Sequence, residues 1–234
     1  SPQFLYLKES PGMLDDHALA SRLSYFLWSS MPDQTLMDLA AKGKLRDPLE
    51  LDRQITRMLR DDKSAAFIRH FSSAWLRMDR LGKMPPSGGD YQFYKNLRVE
   101  PLLMKQVTTY FEDILRKNGR IEEFINSDYT YMNQTLAKWI YRREDIRGER
   151  LRRVKLEDPR RGGIFTQPGV MTATANGVDT SPVIRGVWVL ENVLGTPPAP
   201  PPPDVEPLPT DTREATTIRE LLDLRRANEA CSSC

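Results

Sequence analysis

Two residues stand out for chemistry: Cys231 and Cys234, the only cysteines in the 234-residue chain, spaced C-x-x-C at its very end. Four chemistries use that spacing. A dithiol of the thioredoxin kind sits at a helix N-terminus, where the dipole lowers a thiol pKa. Here "TTIRELLDLRRANEA" leads into Cys231, which places the pair at a helix C-terminus instead. A structural zinc site needs four ligands, and no second C-x-x-C or paired histidines exist to supply them. A disulfide over two residues closes a very small loop and stabilises little. The fourth is covalent haem attachment, in which a histidine directly follows the second cysteine and ligates the iron.

Other candidate groups carry less. His17 and His70 belong to no H-E-x-x-H pair and read as structural or surface residues. Glu122–Glu123 and Asp61–Asp62 read as solvated helix ends. No G-x-S-x-G elbow, G-x-G-x-x-G turn or Walker loop occurs. "RRGGIFTQPG" is no phosphate cradle, because no Lys-Ser/Thr follows its glycines.

The elements that must position these groups are mostly helical. "LDDHALASRLSYFLW" puts Leu19, Leu23, Phe26 and Leu27 on one stripe, with Asp15 or Asp16 as the cap. "QTLMDLAAKG" ends at Gly43. Asp47-Pro48 opens the next helix, lined by Ile55, Met58 and Leu59. "SAAFIRHFSSAWLRM" presents Phe67, Phe71, Ala74 and Trp75. Residues 83–90 form a loop. A long helix spans about 96–118, with Leu103, Val107, Tyr110, Phe111 and Ile114 inward, and short helices follow near 121–125 and 133–141. No strand is expected before Tyr141. Residues 142–161 hold nine basic and five acidic side chains and read as a solvated stretch. The segment through "TSP" then reads as irregular backbone with one or two short strands. Pro182 opens a helix with Val183, Val187, Leu190 and Leu194 inward. Trp28, Trp75, Trp139 and Trp188 read as core. A polyproline II run covers 197–209, and Thr217-x-x-Glu220 is a capping box.

The fold class is therefore mainly α: a helical domain at 13–145, preceded by a tail at 1–12. A smaller, loop- and proline-rich part at 146–234 follows, with a few helices and short strands. A formal charge of +2 argues against a nucleic-acid or membrane-surface partner, and no apolar run approaches a membrane span. The chain lacks an initiator methionine and a signal peptide and reads as a piece of a longer protein.

Two groups of segments also carry a family resemblance. "LDDHALASRLSYFLWSSMPDQTLMDLAAKGKL", "RMLRDDKSAAFIRHFSSAWL" and "FINSDYTYMNQTLAKWIY" resemble the helical domain of the cytochrome-c-associated families of planctomycetes and related bacteria. "RGGIFTQPGVMTATANGVDTSPVIRGVWVLENVLGTPPAPPPPDVEPL" and the segment ending in CSSC resemble the planctomycete cytochrome domain that follows it. The resemblance implies a component of an exported multidomain c-type cytochrome, with electron transfer or haem redox chemistry on an unknown substrate. It implies a periplasmic or extracytoplasmic location, an unknown redox partner and further domains of the same protein. Cys231 and Cys234 map onto the covalent anchors of haem c, and the iron's proximal histidine is expected just after Cys234. Arg185, in TSPVIRG, is the candidate partner of a haem propionate, against a bland reading as a helix-surface arginine. Met171 is a candidate distal ligand without a spacing argument. The alternatives are a non-catalytic scaffold or binding module for a cell-envelope partner or polymer, and a peroxidase-like haem enzyme.

Overall fold

Three of the first helices begin on an aspartate that closes its own cap. The computed structural model describes residues 12–177 and 181–199, together with Thr217, Arg219, Glu220 and Asp223. Helix α1 (Asp16–Trp28) is capped by Asp15, which accepts the Ala18 N–H at 2.7 Å. Asp33 caps α2 (Gln34–Ala41) through the Leu36 N–H, and Asp47 caps α3 (Pro48–Arg60) through Leu49 and Glu50. Asp16, the other cap candidate, turns inward. It accepts the Leu45 N–H at 2.8 Å and pairs with Arg46, tying the α2–α3 loop to the start of α1. Leu27, Trp28, Leu36, Leu45 and Met58 close this first core.

Helix α4 (Ala65–Trp75) is rotated from the face its aromatics suggest. Ile68 and Ser72 are buried, with Leu76 just beyond, whereas Phe71 and Ala74 are exposed and Phe67 and Trp75 half-buried. The serine is tolerated because its hydroxyl donates to the Ile68 carbonyl one turn back. After α5 (Gln92–Asn96), the long α6 (Val99–Arg116) buries Leu103, Val107, Tyr110, Phe111 and Ile114, the stripe expected of it.

A strand does occur in the helical part, contrary to expectation. β1 (Tyr129–Met132) pairs antiparallel with β2 (Arg152–Lys155), Thr130 opposite Val154. The basic stretch hides β2 because only Val154 of its four residues points inward. The charges beside it stay outside, with Arg153 lying 3.7 Å over the Tyr129 ring. Between the strands, α7 (Gln134–Leu136) is capped by Asn133 and runs into a π-helical turn, Ala137–Tyr141.

The segment expected to hold short strands forms none among its described residues. It forms a 3-10 turn (Pro159–Arg161) and α8 (Pro168–Ala173), whose Gly169 lets it approach the Leu103 carbonyl of α6. In α9 (Pro182–Val189), which continues as a π turn (Leu190–Leu194), the inward face also differs from expectation. Val183 and Leu194 are exposed, and Trp188 is the buried residue. One large aromatic outweighs several valines in buried area, and the π turn takes an extra residue that shifts the phase beyond Val189.

Trp188, Ile164 and Val170 share one core with Ile68, Tyr110 and Phe111, so α4, α6, α8 and α9 close around common apolar contacts. The fold is mainly α, with a two-stranded sheet among the described residues. No helix among the described residues is long and apolar enough to cross a membrane. The capping box forms reciprocally, Thr217 N–H to Glu220 and Glu220 N–H to the Thr217 hydroxyl. The proline run beyond Ala199 and the Cys231–Cys234 pair lie outside the described residues.

Candidate functional site

Four stretches distant in sequence meet at one cleft of about 550 Å³, a size typical of small-molecule and cofactor sites. The loop before α5 and α5 itself bring Met84, Tyr91, Phe93 and Tyr94. The π turn brings Trp139 and Arg142, the 160–177 segment brings Arg160, Arg161 and Met171, and α9 brings Arg185.

One wall is apolar. Phe93 and Trp139 stack with centroids 5.3 Å apart and planes 13° from parallel. Trp139 is therefore not the core residue expected: it is 37% exposed at the cleft, with the Lys138 ammonium 5.3 Å from its ring. The π turn that carries it ends at Arg142, which adopts left-handed backbone (φ 57).

The other wall is basic. Arg160 is spoken for by a two-pronged pair with Asp158, both contacts at 2.9 Å. Arg161 lies 5.2 Å over the Tyr141 ring. None of the described lining residues is acidic, and Arg142, Arg161 and Arg185 make no ion pair among the described residues, although the Asp158 charge lies near Arg161 and both Arg142 and Arg161 are exposed to solvent. The backbone just after Arg161 is anchored to the 124–127 turn. Gly163 donates its N–H to the Ser127 hydroxyl at 3.1 Å, and Ile164 donates to the Phe124 carbonyl at 2.9 Å.

Arg185 reaches the cleft because of Trp188. The two are three residues apart on one helical face, so docking the indole in the core carries the guanidinium inward with it. Its Nε lies 3.4 Å from the Thr174 hydroxyl, and its Nη2 is buried without a hydrogen-bond partner among the described residues. Burial lowers its pKa. Tyr94 is similar: it is 3% exposed, and its hydroxyl has no partner. Burial first, and then the nearby Glu100 charge, push its phenol well above the ordinary value.

Arg185 and Met171, singled out separately in the sequence, thus face the same cleft. His17 and His70 do not line it; both are exposed, His70 3.4 Å from the Ser29 hydroxyl. Cys231 and Cys234 lie outside the described residues. Tyr94, Arg142 and Arg161 were not foreseen. The available signal was the basic excess of residues 142–161, which reads as a solvated face until the fold turns Arg142, Arg160 and Arg161 toward one cleft.

Apolar walls, guanidiniums and an unpartnered buried nitrogen suit a flat ring bearing carboxylates. Residues 14–141 match the family model PSD4, a protein of unknown function (DUF1592). Residues 161–234 match PSCyt3, a protein of unknown function (DUF1588). No curated protein and no solved structure matches the chain.

Proposed function

The chain belongs to the planctomycete cytochrome-c-associated family, and from that premise we propose that it is a redox component of a longer, exported c-type cytochrome. Cys231 and Cys234, at the end of the segment that matches PSCyt3, are the thioether anchors. A haem held there supplies a one-electron couple whose potential depends on its axial ligands. The helical part, 13–145, supports the cytochrome-like part, 146–234, and the proximal histidine comes from the residue after Cys234. The protein works outside the cytoplasm, where thioether attachment takes place, and passes electrons to or from a partner protein.

The single observation that carries this reading is Arg185. A half-buried arginine with no carboxylate partner among the described residues and one unpartnered nitrogen is costly to maintain. A haem carboxylate would supply the missing acceptor, and arginine binds carboxylates through two parallel hydrogen bonds.

The test is production of the natural full-length protein together with haem-attachment machinery. The expected product has a Soret band and stains for haem on a denaturing gel, and both are lost in Cys231→Ser/Cys234→Ser. A colourless protein with two free thiols overturns the reading.

A further inference from the structure

We propose that the cleft binds a planar, apolar molecule carrying two carboxylates, with Tyr94, Arg142 and Arg161 completing the site beside Arg185. The charge balance points to more than one anionic group. Arg185, Arg142 and Arg161 make no ion pair among the described residues; Arg142 and Arg161 are exposed and Arg161 lies near the Asp158 charge, yet the cleft stays net positive and a second carboxylate balances more of it than one. The charged groups also have one sense. Guanidiniums only donate, and the Tyr94 hydroxyl is a buried donor without an acceptor.

That pattern favours a ligand rich in acceptors over a neutral saccharide, whose hydroxyls bring donors as well as acceptors. It also disfavours a bare inorganic anion, which would leave the Phe93–Trp139 wall wet. A flat apolar body against that wall, with carboxylates turned to the arginines, uses both halves of the cleft. Two sources share this chemistry: the carboxylate edge of the haem in the preceding section, and a free aromatic dicarboxylate. Only the link to haem rests on the proposed function.

The experiment uses the full chain carrying Cys231→Ser/Cys234→Ser, so that no covalent attachment intervenes. Metal-free protoporphyrin IX and its dimethyl ester are titrated in, with tryptophan quenching as the readout. The diacid is expected to bind at least about tenfold more tightly than the diester. Arg142→Gln/Arg161→Gln, which leaves Arg185 in place, is expected to reduce that difference several-fold without abolishing it. Tyr94→Phe, which keeps the ring and removes only an unpartnered hydroxyl, is expected to weaken the diacid several-fold without lowering Tm. Equal binding of diacid and diester overturns the proposal, and so does indifference to the arginine variants. Displacement by inorganic phosphate or AMP at lower concentration than by a dicarboxylate also overturns it.

Competition with 2,6-naphthalenedicarboxylate separates the sources: displacement of the porphyrin favours a free aromatic acid, and failure to displace favours haem. Haem staining of the full-length wild-type protein separates the two readings. A positive stain with cleft variants that change nothing sinks the cleft proposal alone. No stain, with arginine-dependent diacid binding, sinks the haem reading and leaves the cleft standing.

Discussion

Gly162 passes so close to Ser127 that a Cβ at position 162 would stand 1.9 Å from the Ser127 carbonyl oxygen. That oxygen belongs to backbone and cannot rotate away. Gly162→Ala must push residues 162–164 off the 124–127 turn, weakening the Gly163 and Ile164 hydrogen bonds that anchor the segment. Overpacking and two strained hydrogen bonds together cost about 3 kcal/mol, a Tm fall of roughly 6–12 °C. Gly186→Ala is the control. Its Cβ meets nothing within 4 Å inside α9, and helix propensity predicts a gain of about 0.5–1 kcal/mol. Thermal denaturation of both variants checks the pair, and equal effects would refute the packing argument.

Arg185→Met tests the cost of the unpartnered guanidinium. Methionine keeps much of the apolar stem and removes a charged group whose Nη2 has no partner among the described residues and whose hydrogen bond to Thr174 is long at 3.4 Å. Without ligand, the variant is expected to be more stable by about 1 kcal/mol. Chemical denaturation checks this, and a loss of 2 kcal/mol or more, on the same scale, would show that the arginine is structural.

The ion pair at the start of α1 predicts an acid-sensitive step. Burial alone would raise the Asp16 pKa, but the hydrogen bond and charge of Arg46 and the Leu45 N–H outweigh it and hold the carboxyl below its ordinary value. A depressed folded-state pKa means stabilisation that is complete above the unfolded value, about 3.9, and is lost as pH falls through the folded value. Asp16→Asn is therefore expected to cost about 1–2 kcal/mol at pH 7, discounted because Arg46 is half exposed. The cost should be smaller at pH 3 than at pH 7. Urea titrations at both pH values check it, and a cost independent of pH would assign Asp16 a purely steric role.

Much of the helical frame was legible because its signals are local. Asp15, Asp33 and Asp47 sit where caps must sit, and the apolar positions of α6 repeat at helical spacing over 18 residues. The strands were not legible, since four residues with one inward valine give too short an alternation to stand out from a charged stretch. The inward faces of α4 and α9 were misread for a different reason: which side of an apolar helix faces the core depends on its neighbours. The cleft was the least legible part. Arg185 and Met171 could be named singly, but Tyr94, Arg142 and Arg161 acquire meaning only when α5, the π turn and the 160–177 segment meet.

Arg142 and Gly195 occupy equivalent places, each ending a π turn in left-handed backbone with φ of 57 and 65. An L-residue with a Cβ pays about 1 kcal/mol for that conformation, and glycine pays little. If only the fold mattered, residue 142 would be better as glycine. Arg142→Gly is accordingly expected to raise stability by about 0.5–1 kcal/mol, whereas Gly195→Ala, with open space around its Cβ, should lower it by about 1 kcal/mol through strain alone. The same Arg142→Gly protein is expected to bind the diacid porphyrin less tightly and the diester no differently. Strain kept at a cleft and relieved at the cost of binding is the pattern of a functional position. The denaturation midpoint and the binding isotherm of this one variant test it together. A more stable protein with undiminished, carboxylate-dependent binding would remove Arg142 from the site.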